Sequence, residues 1–483
     1  MKPAGHPSDF ETEFRGVCHP IVPPPHDGLL SEVLSARHAS VMRWMTPDPI
    51  LMRGPSKTGG PTRDPERSLL RPLDWYAAAA ENLDDDFRPS KSLSYAAGEF
   101  YLQDAGSLLP LALLRLDTPR PLVTGGQVLD LCAAPGGKAT AVAAHIDDGF
   151  LLANEPIASR VGLLRMMLAW TGQTRYATST MDPQKLSRDF PHTFDVVLVD
   201  APCSGQSMVG RGKQKRSAFD THTIDFNAAR QRRILAAADR MLRPGGCLVY
   251  STCTFAHAEN EAQVQWLGRE LGYAVDPEDR LAKYETAEGC YRLWPMRDRC
   301  DGHFASRLRK ADGSTNKVEP ERSPSKRRSR RDGKDSFSLS KATAWLRETI
   351  PLNDPVLGFS NGLVTSIPRD APVWTSQRGV TGSAIATCHH QSLRPHETSA
   401  WRHDVVAATA ERWIDLDDDA AMRFAAGETV ELEGDVAGLV DESASRWRVV
   451  MWQGRSLGWA KRDGKRLKNH YPKSLRQTLL HAR

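Results

Sequence analysis

The chain carries no long uninterrupted apolar run, no Cys-x-x-Cys pair and little excess of either charge. Without an apolar run of roughly twenty residues there is no candidate membrane span. The opening MKPAGHPSDF also lacks the apolar segment of an export signal. A reduced, cytoplasmic, soluble protein is expected. Eight cysteines are scattered at positions 18, 132, 203, 247, 253, 290, 300 and 388, which suits neither a disulfide framework nor a tetrahedral zinc site. No metal is expected, and the CHH run at 388–390 reads as surface histidines. With 64 basic against 59 acidic side chains the formal charge is only +5, so any nucleic-acid surface has to be a local patch.

At 483 residues the chain exceeds one core, and about three domains is the prior. Residues 1 to about 90 are rich in proline, glycine and histidine with weak periodicity, and 52–68 reads as loop. From residue 127 the pattern changes. The apolar runs QVLDLCA (127–133), FLLANEP (150–156), RYATSTM, FDVVLVDAP (194–202) and GGCLVYSTC read as five strands. Between them lie helical stretches, one with Val161, Leu164, Met167 and Leu168 on one face, another with Ile234, Leu235, Ala238, Met241 and Leu242. Such alternation predicts an α/β fold with a doubly wound, mostly parallel sheet. The divisions expected are an N-terminal extension (1–95), a catalytic domain (96–310), a basic low-complexity linker (311–340), a small intermediate domain (341–402) and a C-terminal domain (403–483).

In doubly wound sheets the ligand lies at the carboxyl ends of the strands. Cys132, Glu155, Asp200, Cys203 and Cys253 all fall at or just past those ends. The turn DLCAAPGGK (130–138) is not a phosphate loop, because Cys132 and Ala139 stand where glycine and Ser/Thr would be needed, and no G-x-G-x-x-G is present. Pro135 removes an N–H that a pyrophosphate would use. Glu155 is placed to accept ribose hydroxyl protons, and Asp182 to meet an adenine amino group. A nucleoside without phosphate fits, with S-adenosylmethionine the obvious candidate. The bland alternatives are a plain strand–helix connection and a plain helix cap.

DAPCSG (200–205) and STCT (251–254) close the fourth and fifth strands, so two thiols are expected to face one cleft. Cytosine is a poor nucleophile at carbon 5. Thiolate addition at carbon 6 turns it into an enamine-like species able to attack a methyl sulfonium. The carbon 5 proton must then leave and the thiol be eliminated, which calls for a second base. An acid near ring N3 would stabilise the charge developing on addition, and Asp200 lies one turn from Cys203. Positive charge, the sulfonium and Lys138 included, would lower one thiol's pKa. Spacing does not decide which thiol attacks.

Together VLDLCAAPGGKAT, LLANEP, VLVDAPCSG, LRPGGCLVYSTCTFAHAENE and YRLWPMRDRCDGHFASRLRK resemble the Sun-type RNA cytosine-C5 methyltransferases, and AGEFYLQDAGSLLPLALL (97–114) resembles their lead-in. LGWAKRDGKRLKNHYPK is similar to the PUA-like end of the bacterial RsmF-type enzymes, which modify 16S ribosomal RNA. The resemblance implies a Rossmann-like class I methyltransferase sheet and a C-terminal PUA-like β-rich domain. It implies that Cys132, Ala133, Ala134, Pro135, Gly136, Gly137, Lys138, Glu155, Asp182 and Asp200 contact S-adenosylmethionine. It makes Cys253 the nucleophile, with Cys203 assisting product release and Asp200 and Lys138 completing the catalytic set. DNA cytosine methyltransferases attack with the proline–cysteine motif instead, so that order rests on the resemblance. The family's arginine-and-asparagine strand is not recognisable in residues 1–90, and 311–337 looks like an insertion.

Two basic stretches point to RNA. The long segment after Cys203 carries Arg211, Lys213, Lys215 and Arg216 at the rim of the cleft and reads as a phosphate clamp, with a surface loop as the alternative. Near the C-terminus, Lys461, Lys465, Arg466 and Lys468 lie among Trp459 and Tyr471, a mixture that suits phosphates and stacked bases, with a basic solvated face as the alternative. Ribosomal RNA or the small subunit is the expected partner, and a monomer is expected. Competing readings are a transfer-RNA methyltransferase, a nucleotide-dependent oxidoreductase or NTPase on the same sheet, and a non-catalytic assembly factor.

Overall fold

Runs rich in valine, leucine and isoleucine form strands when both of their faces are covered, and three such runs sit at the heart of the protein. The structure is a computed structural model that describes residues 33, 38, 40–45, 70–84, 86–313, 339–352, 355–390, 392–432 and 445–480. Residues 1–87, 100–164 and 178–312 form one compact unit, and 88–99, 165–177 and 313–483 form a second.

The first unit is built on a mixed sheet. Its parallel centre consists of β5 (Gln127–Asp130), β6 (Phe150–Asn154) and β8 (Phe194–Asp200), flanked by β7 (Tyr176–Ser179) and β9 (Leu242–Thr252). β10 (Tyr273–Val275), β11 (Glu285–Ala287), β12 (Cys290–Leu293) and β13 (His303–Lys310) complete it, in the order β11-β12-β13-β9-β8-β5-β6-β7 with β10 paired to β13. β13 runs antiparallel to β9. The helices between the parallel strands are α1 (Gly137–Ala143), α2 (Ala158–Trp170), α3 (Pro183–Asp189) and α4 (Thr221–Met241), with α5 (Glu261–Leu271) after β9. β5 has β6 on one side and β8 on the other. The winding therefore reverses at β5, which opens a crevice above its carboxyl end. The five strands expected from the sequence are all present.

The N-terminal region departs from expectation. Four strands there form an antiparallel sheet, β2 (Leu70–Leu73), β3 (Tyr76–Asn82), β1 (Val41–Trp44) and β4 (Phe100–Gln103), in that order. Three of these strands are only four residues long and β3 reads YAAAAEN, so no alternation of large apolar and polar residues marks them. Arg43 anchors β1: it is buried, and its guanidinium donates to Thr140 Oγ1 at 2.7 Å on α1. The expected linker falls largely on 314–338, outside the described residues.

In the second unit Val356–Ser360, Leu363–Ile367, Ser383–His389 and Ser392–Pro395 form one antiparallel sheet. A five-stranded sheet orders Trp413–Asp415, Trp447–Trp452, Arg455–Asp463, Arg466–Asn469 and Val430–Glu431. Ile350, Val364, Ile385, Val405, Val449 and Trp459 meet in one apolar core, so residues 341–402 and 403–483 share their interior.

Candidate active site

The turn after β5 has to reverse direction within a few residues before α1 begins. Gly136 at its apex takes a φ of +119°, which favours glycine. The Ala134–Pro135 peptide is cis. A Cβ on Gly137 would lie 3.1 Å from Gln103 Oε1 and 3.3 Å from the Tyr101 ring, so β4 closes tightly over the turn. The result is a cleft of about 320 Å³ at the carboxyl ends of β5, β8 and β9. Cys132, Ala133, Ala134, Pro135, Gly137, Lys138, Asp200 and Cys253 line it; Gly136, Glu155, Asp182 and Cys203 are not among the lining residues.

Lys138 reaches back from the first turn of α1, and its Nζ lies 2.7 Å from Asp200 Oδ2. Ser251 Oγ donates to Asp200 Oδ1 at 2.8 Å. Burial works against the charges of this pair, yet each partner stabilises the other. The Asp200 carboxyl is held below the ordinary carboxylate value and Lys138 above the ordinary amine. Asp200 is thus an ionised acceptor, whereas the sequence suggested an acid.

Asp130 behaves differently. It ends β5 fully buried at the cleft, and no side-chain donor among the described residues reaches its carboxylate. Burial, then the charge of Asp200, push its carboxyl up to about 7. A buried carboxylate left in this condition suits a ligand carrying positive charge. The cleft volume also lies in the range of small-molecule sites. The residues present therefore fit a compact cationic nucleoside.

Glu155 and Asp182 already have structural partners. Glu155 accepts from Ile157 N at 2.9 Å and pairs with Arg160 at 3.2 Å, while Arg160 also donates to Ala134 O at 2.7 Å. Asp182 caps α3 by accepting from the backbone N–H groups of Gln184 and Lys185. The thiol of Cys132 is pushed up by burial, then by Asp130 and Asp200, which leaves it a small apolar wall.

The two thiols meet. Cys203 Sγ and Cys253 Sγ are 3.4 Å apart, one past β8 and the other past β9. The hydrogen bond with Cys253, followed by burial, raises the Cys203 thiol well above its ordinary value, so Cys203 keeps its proton. Glu259, buried, ties the two strand ends together. It accepts from Ser204 N at 2.9 Å, Ser204 Oγ at 2.5 Å and Gln231 Nε2 at 2.9 Å, while Ser204 Oγ also meets Thr254 Oγ1 at 2.7 Å. The sequence reading assigned no role to Glu259 or Asp130. The rule that catalytic groups gather at strand ends points to Asp130, but only the fold brings Glu259 under Ser204.

The basic residues divide into two sets. Arg211 faces inward: Nε lies 2.5 Å from Asp301 and Nη2 3.6 Å from Asp104, and Nη2 donates to His38 O at 3.0 Å. Lys213 lies on the cleft rim, and Lys215 and Arg216 are exposed. In the second unit Lys461, Lys465, Arg466 and Lys468 are all exposed. Lys461 lies over the Trp447 ring, Arg466 pairs with Glu431 and Lys468 with Asp463. The expectation that Trp459 and Tyr471 stack bases is overturned. Both are buried, Trp459 donating to Ser399 Oγ and Tyr471 to Ala96 O. Along Arg455–Asp463 the buried run ends at Ala460, so Lys461 and the turn beyond it reach solvent while Trp459 stays inside.

A family model described as 16S rRNA methyltransferase RsmB/F matches residues 121–309, and one described as methyltransferase RsmF PUA domain matches 411–477. The chain is 33% identical over 429 residues to ribosomal RNA small subunit methyltransferase F of Klebsiella pneumoniae (strain 342), covering 84% of each chain. It is 32% identical over 434 residues to the protein of the same name from Enterobacter sp. (strain 638), covering 85% of each. Among solved structures, a methyltransferase homolog protein from Pyrococcus horikoshii shares the fold with a TM-score of 0.50 and 22% identity, over 63% of this chain and 96% of that one.

Proposed function

The chain belongs to the RsmB/F family of 16S rRNA methyltransferases, and on that premise we propose that it methylates carbon 5 of a cytosine in 16S ribosomal RNA through a transient bond to Cys253. The observation that carries this reading is the pair of thiols 3.4 Å apart beside the Lys138–Asp200 ion pair. S-adenosylmethionine, when bound, supplies an electrophilic methyl group on its sulfonium. Cys132 to Lys138 and Asp130 are the residues to hold it, with Glu155 and Asp182 at the next two strand ends.

Cys253 lines the cleft together with Lys138, and the thiolate form of its side chain is the nucleophile. That thiolate adds to carbon 6 of the target base, and the ring electrons it displaces make carbon 5 nucleophilic. Cys203, still protonated, donates to the Cys253 sulfur. After methylation the carbon 5 proton is lost to a base, its bonding electrons restore the ring double bond, and the Cys253–carbon 6 bond breaks. The S–H of Cys203 stabilises the departing thiolate. The domain roles follow: 96–310 catalyses, 311–340 links, and the PUA-like 403–483 contacts RNA, aided by Lys213, Lys215 and Arg216.

Cys203→Ala should accumulate a covalent protein–RNA adduct on denaturing gels, because attack proceeds while release is slowed. Cys253→Ala should give neither adduct nor methylation. The reverse pattern would exchange the two roles. Bisulfite sequencing of 16S ribosomal RNA that shows no new 5-methylcytosine despite methyl transfer would reject the target atom.

A further inference from the structure

One polar side chain in the cleft has no place in the chemistry so far. His303 opens β13, and the pairing of Phe304 with Thr252 sets it beside the strand end that carries Cys253. It lines the same cleft and is 5% exposed, and its Nε2 has no hydrogen-bond partner among the described residues. Nε2 lies 3.7 Å from Asp200 Oδ1, too far for a hydrogen bond yet close enough to share one ligand with it. A buried polar atom left unpaired is costly, so this nitrogen needs a partner that the ligand brings.

We propose that His303 and Asp200 together read the polar edge of the target pyrimidine, His303 donating to ring N3 and Asp200 accepting from the 4-amino group. This inference rests on the cytosine-C5 reading above. Cytosine presents a donor at the 4-position beside an acceptor at N3; uracil presents the opposite pair. An ionised Asp200 and a neutral imidazole with its proton on Nε2 match cytosine and oppose uracil. Burial, then the Lys138 cation, hold the imidazole down to about 3, so it donates as a neutral ring. Negative charge that develops on N3 while Cys253 adds to carbon 6 meets the same donor, which places His303 among the groups that stabilise the transition state.

The test uses the full-length protein, labelled S-adenosylmethionine and small ribosomal subunits lacking the modification. H303F fills the space without the donor and should lower kcat/KM by about a hundredfold or more. H303Q, whose amide reaches the position of Nε2, should recover roughly tenfold or more of that loss. Thermal shift with S-adenosylmethionine should report wild-type binding of the donor in both. If phenylalanine prevents folding, the same contrast is read between H303Q and H303N, whose shorter amide falls short of the cleft. H303F within about threefold of wild type would overturn the inference. So would H303Q, folded and donor-bound, no better than its partner variant. Wild-type protein that modifies an atom other than cytosine carbon 5 would instead sink the functional reading, so the two failures are distinct.

Discussion

At the scale of single residues, Asp130 and Cys203 show how one crevice sets opposite tasks for buried groups. Asp130 has a folded pKa near 7 against an ordinary 3.8. Between those values the folded protein binds a proton that the unfolded chain has released, so stability falls as pH rises through that window. Asp130→Asn should flatten the dependence. A rise from 3.8 to about 7 corresponds to about 4 kcal/mol; because the amide gains no side-chain partner, a net gain of about 2 kcal/mol at pH 8 is expected in urea melts. The same substitution should remove a strengthening of S-adenosylmethionine binding as pH rises through 7, followed by calorimetry. A stability profile identical to wild type would show that the carboxyl is not the strained group. The sequence displayed Asp130 plainly at the end of QVLD, but its lack of a side-chain donor is a property of what surrounds it.

At the scale of elements, the segment between β8 and α4 is held by charge at one end and by Glu259 at the other. Arg211 neutralises Asp104 and Asp301, and Asp104 is pushed up to about 6 by burial and then by Asp301. Arg211→Ala leaves the buried Asp301 and the half-buried Asp104 without their cation and should cost about 3 kcal/mol, seen as a lower Tm. The double variant K213A/K215A should leave Tm unchanged and reduce the salt dependence of RNA binding in filter assays. Equal effects of the two variants on both readouts would remove the distinction. Glu259→Gln keeps some acceptor capacity but places an amide against Ser204 and Gln231. It should destabilise by about 1–3 kcal/mol and lower kcat, because the two thiols lose their common anchor.

The parallel strands were legible because long aliphatic runs separated by glycine turns admit few other structures. The N-terminal sheet was not, because four-residue strands and an alanine run carry no periodic signal. Arg43 is a side chain that a sequence would place in solvent, and it is buried against α1.

At the scale of the molecule, the second unit presents basic side chains around a buried aromatic core. Exposed pairs such as Arg466–Glu431 and Lys468–Asp463 contribute little to stability, so these cations are free to exchange a carboxylate for a phosphate. Replacing Lys461, Lys465, Arg466 and Lys468 by alanine should leave folding intact. The slope of log affinity against log salt should fall by about 0.7–0.9 for each phosphate that is no longer neutralised. An unchanged slope would assign RNA binding elsewhere.

By itself the sequence determined the order of strands and helices, the character of the glycine turn and the presence of two cysteines at strand ends. Those features depend on neighbours in the chain, where turn geometry and aliphatic runs act directly. Only the tertiary structure decided that the Cys203 thiol is held against Cys253, that Arg211 is occupied by carboxylates, that Trp459 and Tyr471 are core, and that His303 stands unpaired beside Asp200. Protonation, pairing and exposure are set by groups distant in sequence brought within a few ångströms, and no local pattern encodes that distance.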